Sequence, residues 1–202
     1  TPEQVLMVGY NRRFSAALEL VNQKIANRKS PLIINYIVNA GVIAHDHWLN
    51  TPGGGGRNLG EACHMYDVFT YLTQSKYSKI MTSSIGSEAG MYSWQDNFTV
   101  TISFEDGSLC NLTYTSMGCK SLPKEQIQIF SEGISISIDD FKKIKLYKGD
   151  SFSEFNLEGK GHFEEIKCFG ETIRDGGELP IPLWQLLQAS YIALEVEDQI
   201  QS

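Results

Sequence analysis

The chain has 202 residues, 42% hydrophobic and 20% charged, with a net charge of −7. That is enough apolar material for one domain with a sizeable core. The acidic balance excludes a nucleic-acid binder, which needs a basic face to meet phosphates. No run approaches the roughly 18 apolar residues of a membrane span, and nothing reads as a signal peptide, so no membrane partner is expected.

The four cysteines, Cys63, Cys110, Cys119 and Cys168, show no paired spacing. A reduced, cytoplasmic setting fits them best. The chain opens on Thr1-Pro2 and runs into an apolar stretch, Val5 to Val8, that reads as a strand. Such an opening is expected of a single α+β domain, 1–202, cut from a longer protein. Phe14, Ala17, Leu18, Val21 and Ile25 then mark a helix by their spacing. Arg12 and Arg13 fall in the turn before it. Their forks of donors suit a hydroxyl-rich or anionic ligand, although two turn arginines can equally be solvated.

Pro31 to Ala40 is rich in Ile and Val and predicts a second strand. The irregular passage from Gly41 to Arg57 holds His45, His47 and Trp48, and a loop of that length is usually functional or disordered. Its tryptophan favours order.

Gly53 to Asp67 carries the chemistry. A run of four glycines lets backbone approach a bound molecule, because no Cβ blocks it. The helix that follows turns Ala62, Met65, Tyr66, Phe69 and Leu72 toward a core. Glu61 and His64, three apart, sit on the flank of that stripe as a candidate acid/base pair. A histidine beside a core stripe can also be purely structural.

From Asp96 onward the period changes to two. Phe98, Val100, Ile102 and Phe104 alternate with Asn97, Thr99, Thr101 and Ser103, and Glu105-Asp-Gly107 turns the chain back through Ser108 to Tyr114. Gln126 to Phe130 and Ile134 to Ile138 give a second hairpin. Ile144 and Leu146 mark another strand, with a weaker one at Phe152 to Leu157. The series predicts a large, mostly antiparallel open sheet with helices on one face and Thr, Ser and Asn on the other. That polar face is expected to pack on another copy of the chain, giving a homo-oligomer. Pro182 to Asp198 closes the chain as a helix with Leu183, Leu187, Tyr191 and Leu194 on one side.

No G-x-G-x-x-G fingerprint, P-loop or internal repeat is present. The chain thus offers acid/base groups without a cofactor cradle. The segment Gly54-Gly-Gly-Arg-Asn-Leu-Gly-Glu-Ala-Cys-His-Met-Tyr-Asp67 resembles the glycine-rich segment and D-x-x-x-H helix of the Gfo/Idh/MocA oxidoreductases. Gly9-Tyr-Asn-Arg-Arg-Phe14 is similar to the strand–turn that opens that family's second domain, and Gly177 to Leu183 with the closing helix to its end. The likeness covers the whole chain but only the C-terminal part of a family member. It is nearest to the branch reading G-E-x-C-H, associated with polysaccharide biosynthesis.

The resemblance implies an NAD(P)-dependent sugar dehydrogenase whose substrate is a sugar, nucleotide sugar or polyol hydroxyl. It implies His64 as the residue that hydrogen-bonds or deprotonates that hydroxyl. Asn11, Arg12 and Arg13, with Trp48 and Arg57 on the bordering loop, are implied as substrate-binding residues. The family's acid lies four residues before the histidine, where this chain has Gly60; Glu61 points about 100° away around a helix. NAD or NADP would be held by an upstream Rossmann domain, and no cofactor or metal site is expected in this chain, which alone should be inactive. Two readings compete: a zinc-dependent hydrolase built on His45, His47 and His64, and a non-catalytic binding or assembly module.

Overall fold

The computed structural model describes residues 6–44, 46–51, 53–86 and 92–201. Its strands are β1 (Ile33–Asn39), β2 (Tyr77–Ser84), β3 (Phe98–Phe104), β4 (Leu109–Thr115), β5 (Glu125–Ser131), β6 (Ile134–Asp139), β7 (Lys143–Lys148) and β8 (Ser151–Asn156). The helices are α1 (Ala16–Ile25), α2 (Cys63–Thr73), α3 (His162–Asp175) and α4 (Leu183–Gln201). The strands form one sheet in the order β2–β3–β4–β1–β5–β6–β7–β8. Among the described residues only the β1–β4 pair is parallel, and the two strands are joined by a long connection, as a parallel pair requires.

One face of the sheet is the core. Ile34, Tyr36 and Val38 of β1 share it with Ile102, Leu112, Ile127 and Ile138 from the neighbouring strands. Leu18 and Val21 of α1, Met65 and Phe69 of α2, and Ile192 and Val196 of α4 cover them. Truncating any of these to alanine is expected to cost about 2–5 kcal/mol. The fold is thus the α+β, mostly antiparallel open sheet that the strand pattern predicts.

Local signals explain most element ends. Ser15 caps α1, its hydroxyl accepting from the Leu18 amide at 3.3 Å. Gln74 ends α2 in the left-handed region, with φ 52°. Of the strand expected over Val5 to Val8, Val5 lies outside the described residues and residues 6–8 are not in a strand; the amides of Tyr10 and Asn11 close tight turns onto the carbonyls of Val8 and Gly9.

Two elements have no clear sequence pattern. Of β2 only Ile80 is buried, as befits an edge strand, and of α3 only Glu165. The closing helix shows a different face from the one its leucines suggest. Leu183, Leu187, Tyr191 and Leu194 are exposed, while Leu186, Ala189, Ile192, Ala193, Val196 and Ile200 pack inward. Among the described residues no helix is long and apolar enough to cross a membrane.

The open face divides into rows across the strands. A polar row links Thr101 to Asn111 at 2.9 Å and Asn111 to Asn35 at 3.0 Å. One end carries an apolar row instead: Leu109, Ile33 and Phe130 lie in register, and Phe130 faces Ser135, which faces Tyr147 and then Phe152. All five apolar side chains of that row are exposed.

Candidate active site

The loop and the helix of the glycine segment form one packed unit. Asn58–Ala62 winds as a π-helix that runs directly into α2, a widening frequent at functional sites. Gly60 explains why no acidic side chain stands four residues before His64. A Cβ there would lie 2.5 Å from the Gly54 carbonyl oxygen and 2.6 Å from a Leu49 methyl. The loop backbone occupies the space that a carboxylate would need.

His64 is half-buried on the edge of α2. Its ring meets Tyr10 edge-to-face at 5.5 Å, and its Nδ1 is buried without a hydrogen-bond partner. It borders a cleft of about 510 Å³ that Tyr10, Leu59, Ser190 and Leu194 also line. Burial, reinforced by the Arg12 charge, lowers its pKa to about 4 against the opposing pull of Glu125 and Glu61. His64 is therefore a neutral imidazole at pH 7. The adjacent Cys63 is no nucleophile, because burial pushes its thiol up to about 11.

Glu61 does not hydrogen-bond His64. It accepts from Tyr114 Oη and Lys124 Nζ, each at 2.5 Å, and from Arg57 Nη1 at 3.0 Å. Burial alone would raise its pKa; the bonds from Lys124 and Tyr114 outweigh burial and hold it below the usual carboxylate range. Glu61 is a fixed carboxylate.

The arginines are structural in their contacts. Arg12 grips Glu125 through two bonds of 2.7 and 3.0 Å, and Tyr36 Oη and Lys160 Nζ donate to the same carboxylate at 2.5 Å each. Burial would raise Glu125, but Arg12 and Lys160 hold it down at about 2. Arg13 clasps the fully buried Asp67 and also donates to Gln185 Oε1 at 2.6 Å. Asn11 donates to the Lys160 carbonyl at 2.8 Å. Arg57 binds the Gly41 carbonyl at 2.7 Å and lies over the Tyr114 ring.

The expected residues thus divide. Arg12 and Glu61 surround His64 electrostatically, whereas Arg57 faces a second, larger cleft of about 1000 Å³ with Asn58, Tyr92, Asp96 and Glu197. Trp48 is 61% exposed. His45 lies outside the described residues, and His47 caps a short helix by accepting from the Leu49 amide. Among the described residues no three His, Cys, Asp or Glu side chains are placed to hold a metal.

Sequence reasoning missed Glu125, Tyr36, Lys124 and Lys160. Glu125 was findable: it shares strand parity with Ile127 and Ile129, so a carboxylate there must be buried and needs a cation.

No family model and no curated protein matches the chain. Solved structures do. UDP-N-acetylglucosamine 3-dehydrogenase GnnA from Acidithiobacillus ferrooxidans aligns over 96% of this chain with a TM-score of 0.80 at 16% identity. An oxidoreductase from Thermotoga maritima aligns over 99% with a TM-score of 0.71 at 19% identity. One from Agrobacterium radiobacter, in complex with NAD+, L-tartaric acid and magnesium, aligns over 98% with a TM-score of 0.74 at 10% identity. The chain spans 61% of the first two and 63% of the third. Its fold is that of the C-terminal domain of Gfo/Idh/MocA-type oxidoreductases.

Proposed function

We propose that this chain is the substrate-binding and proton-handling domain of an NAD(P)-dependent oxidoreductase that acts on a hydroxyl of a sugar, nucleotide sugar or polyol. The observation that supports it is His64: a neutral imidazole that borders a cleft, with its Nδ1 buried and unpartnered. An unpaired polar atom in such a place is costly unless a ligand completes it. A hydroxyl held in the cleft donates to the imidazole and, as its carbon loses hydride, passes its proton there. The nicotinamide, held mainly by a dinucleotide-binding domain of the parent polypeptide, supplies the hydride chemistry. Glu61 and Arg12 are positioning residues, setting the field at the imidazole.

The open sheet face is a homo-oligomer contact in this reading. A second copy would cover the exposed Leu109–Ile33–Phe130 row that water otherwise meets.

The binding half is tested by following the His64 imidazole nitrogens by NMR while UDP-N-acetylglucosamine, free N-acetylglucosamine or myo-inositol is added. A saturable shift at His64 with one of them supports the reading. Saturable binding that leaves both nitrogens unmoved overturns it.

A further inference from the structure

The cleft that His64 borders has three walls. One is a turn of α4 that presents Ser190, Ala193 and Leu194. The second is the π-helix and the start of α2, where Leu59 and Cys63 stand one turn apart beside the imidazole. Val8, next to Tyr10, closes the third. Among the described residues no carboxylate, ammonium or guanidinium group lines this cleft. The larger cleft at Arg57 differs, since Asp96 and Glu197 line it as well.

Besides the imidazole, the lining has little to offer a hydroxyl. Ser190 Oγ donates to the Leu186 carbonyl at 3.0 Å, which leaves it only as an acceptor. The Cys63 thiol keeps its proton and is a weak donor. A hydroxyl pressed onto Leu59, Ala193 or Leu194 gives up water and gains no partner. An alkyl group in the same place removes apolar surface from water on both sides of the contact. Val8 is 38% and Leu194 53% exposed, so water reaches the mouth of the cleft, where further hydroxyls of a ligand stay hydrated.

We propose that the sugar whose hydroxyl meets His64 carries a methyl group on the edge it turns into the cleft, and that Leu59 and Leu194 select for that methyl. The inference rests on the role proposed for His64 and narrows the ligand it receives. A polyol with a hydroxyl on every carbon cannot enter without leaving one of them unpaired against leucine. An apolar wall discriminates only modestly against an added hydroxyl, so the selection is by a factor and is not absolute.

Two kinds of sugar carry such a methyl, a 6-deoxy sugar and an N-acetyl sugar. The test is NMR titration of the chain, following the His64 nitrogens and the Leu59 and Leu194 methyl groups. The ligands are two matched pairs, L-fucose with L-galactose and N-acetylglucosamine with glucose. In one pair the methyl-bearing member is expected to bind about tenfold more tightly and to shift His64 and Leu194 together. A preference in the first pair assigns the methyl to a 6-deoxy carbon, and one in the second pair to an N-acetyl group. Leu194→Gln, which offers a hydroxyl a partner, should bring that preference to within about twofold. Leu183→Gln, on the same helix but not lining the cleft, should keep it. Leu194 and Leu183 are both exposed, so both variants should fold, which thermal melting checks. Binding that moves His64 with no preference in either pair overturns the selection and leaves the role of His64 standing. A preference that survives Leu194→Gln, or no saturable binding of any of the four sugars, also overturns it. Saturable binding with both imidazole nitrogens unmoved overturns the role of His64 and the selection with it.

Discussion

Arg12 and Glu125, 113 residues apart in the chain, are joined by a two-bond fork in which neither side chain meets solvent freely. The contact ties the turn before α1 to the first residue of β5, and Tyr36 and Lys160 complete the carboxylate's acceptor capacity. Removing one partner of a buried pair leaves an uncompensated charge, which costs more than the intact pair is worth. Glu125→Ala is therefore expected to lose about 3–5 kcal/mol in urea unfolding. The sign of the pH effect follows from the depressed pKa. The Glu125 contribution is complete above its unfolded value near 4.5 and is lost as pH falls toward 2.

His64 titrates in a different window. Its folded pKa of about 4 lies below the ordinary 6.5, so the unfolded chain takes up the proton first as pH falls. Stability should drop between pH 6.5 and 4, by up to about 3 kcal/mol from this group. Asp67, which burial raises to about 6, acts in the opposite direction over part of that range. The difference between the native chain and His64→Asn, measured by denaturant unfolding at each pH, removes the Asp67 contribution. That difference is expected to shrink as pH falls; a constant difference would show that the imidazole is not desolvated.

Gly60 is held by contact rather than by dihedral angle. A side chain there meets the Gly54 carbonyl and Leu49. Gly60→Ala is expected to cost about 2–4 kcal/mol in thermal or urea unfolding, through overpacking against backbone that has little room to yield. Gly60→Asp, with a larger side chain meeting the same atoms, should be worse. An unchanged melting temperature for Gly60→Ala would contradict the close approach.

Much of the fold could be read directly from the chain, because period-two alternation marks strands packed on one side. Phe98 to Phe104 and Gln126 to Ile138 are of that kind. The edge strand β2 escaped notice because Ile80 alone is buried, so no alternation is visible. Helix α3 escaped because its apolar residues, Phe163, Ile166 and Ile173, face solvent. At the site, the glycine–helix motif led to His64, but Arg12 and Arg13 find their partners far away in sequence, Glu125 on β5 and Asp67 on α2. Burial of Arg12, Arg13 and Arg57 depends on Glu125, Asp67 and Glu61 meeting them in space, and a turn composition alone is silent on that.

The exposed apolar row on the open face carries its own expectation. Ile33→Asp/Phe130→Asp alters two outward side chains, so the fold should persist while self-association weakens. Sedimentation analysis across concentration is expected to show a dimer or larger species for the native chain and monomer for the variant. A native chain that stays monomeric at high concentration would argue against the sheet contact.

Under the proposed function, the most direct measurement is formation of reduced nicotinamide by this chain together with the dinucleotide-binding domain that reading requires, with NAD+ or NADP+ and a panel of sugars, nucleotide sugars and polyols. With the preferred substrate, His64→Asn should lower kcat by about 10²–10⁴-fold while the fold and cofactor affinity persist. Turnover of that substrate at the native rate after His64→Asn would contradict the assignment of proton transfer to this imidazole.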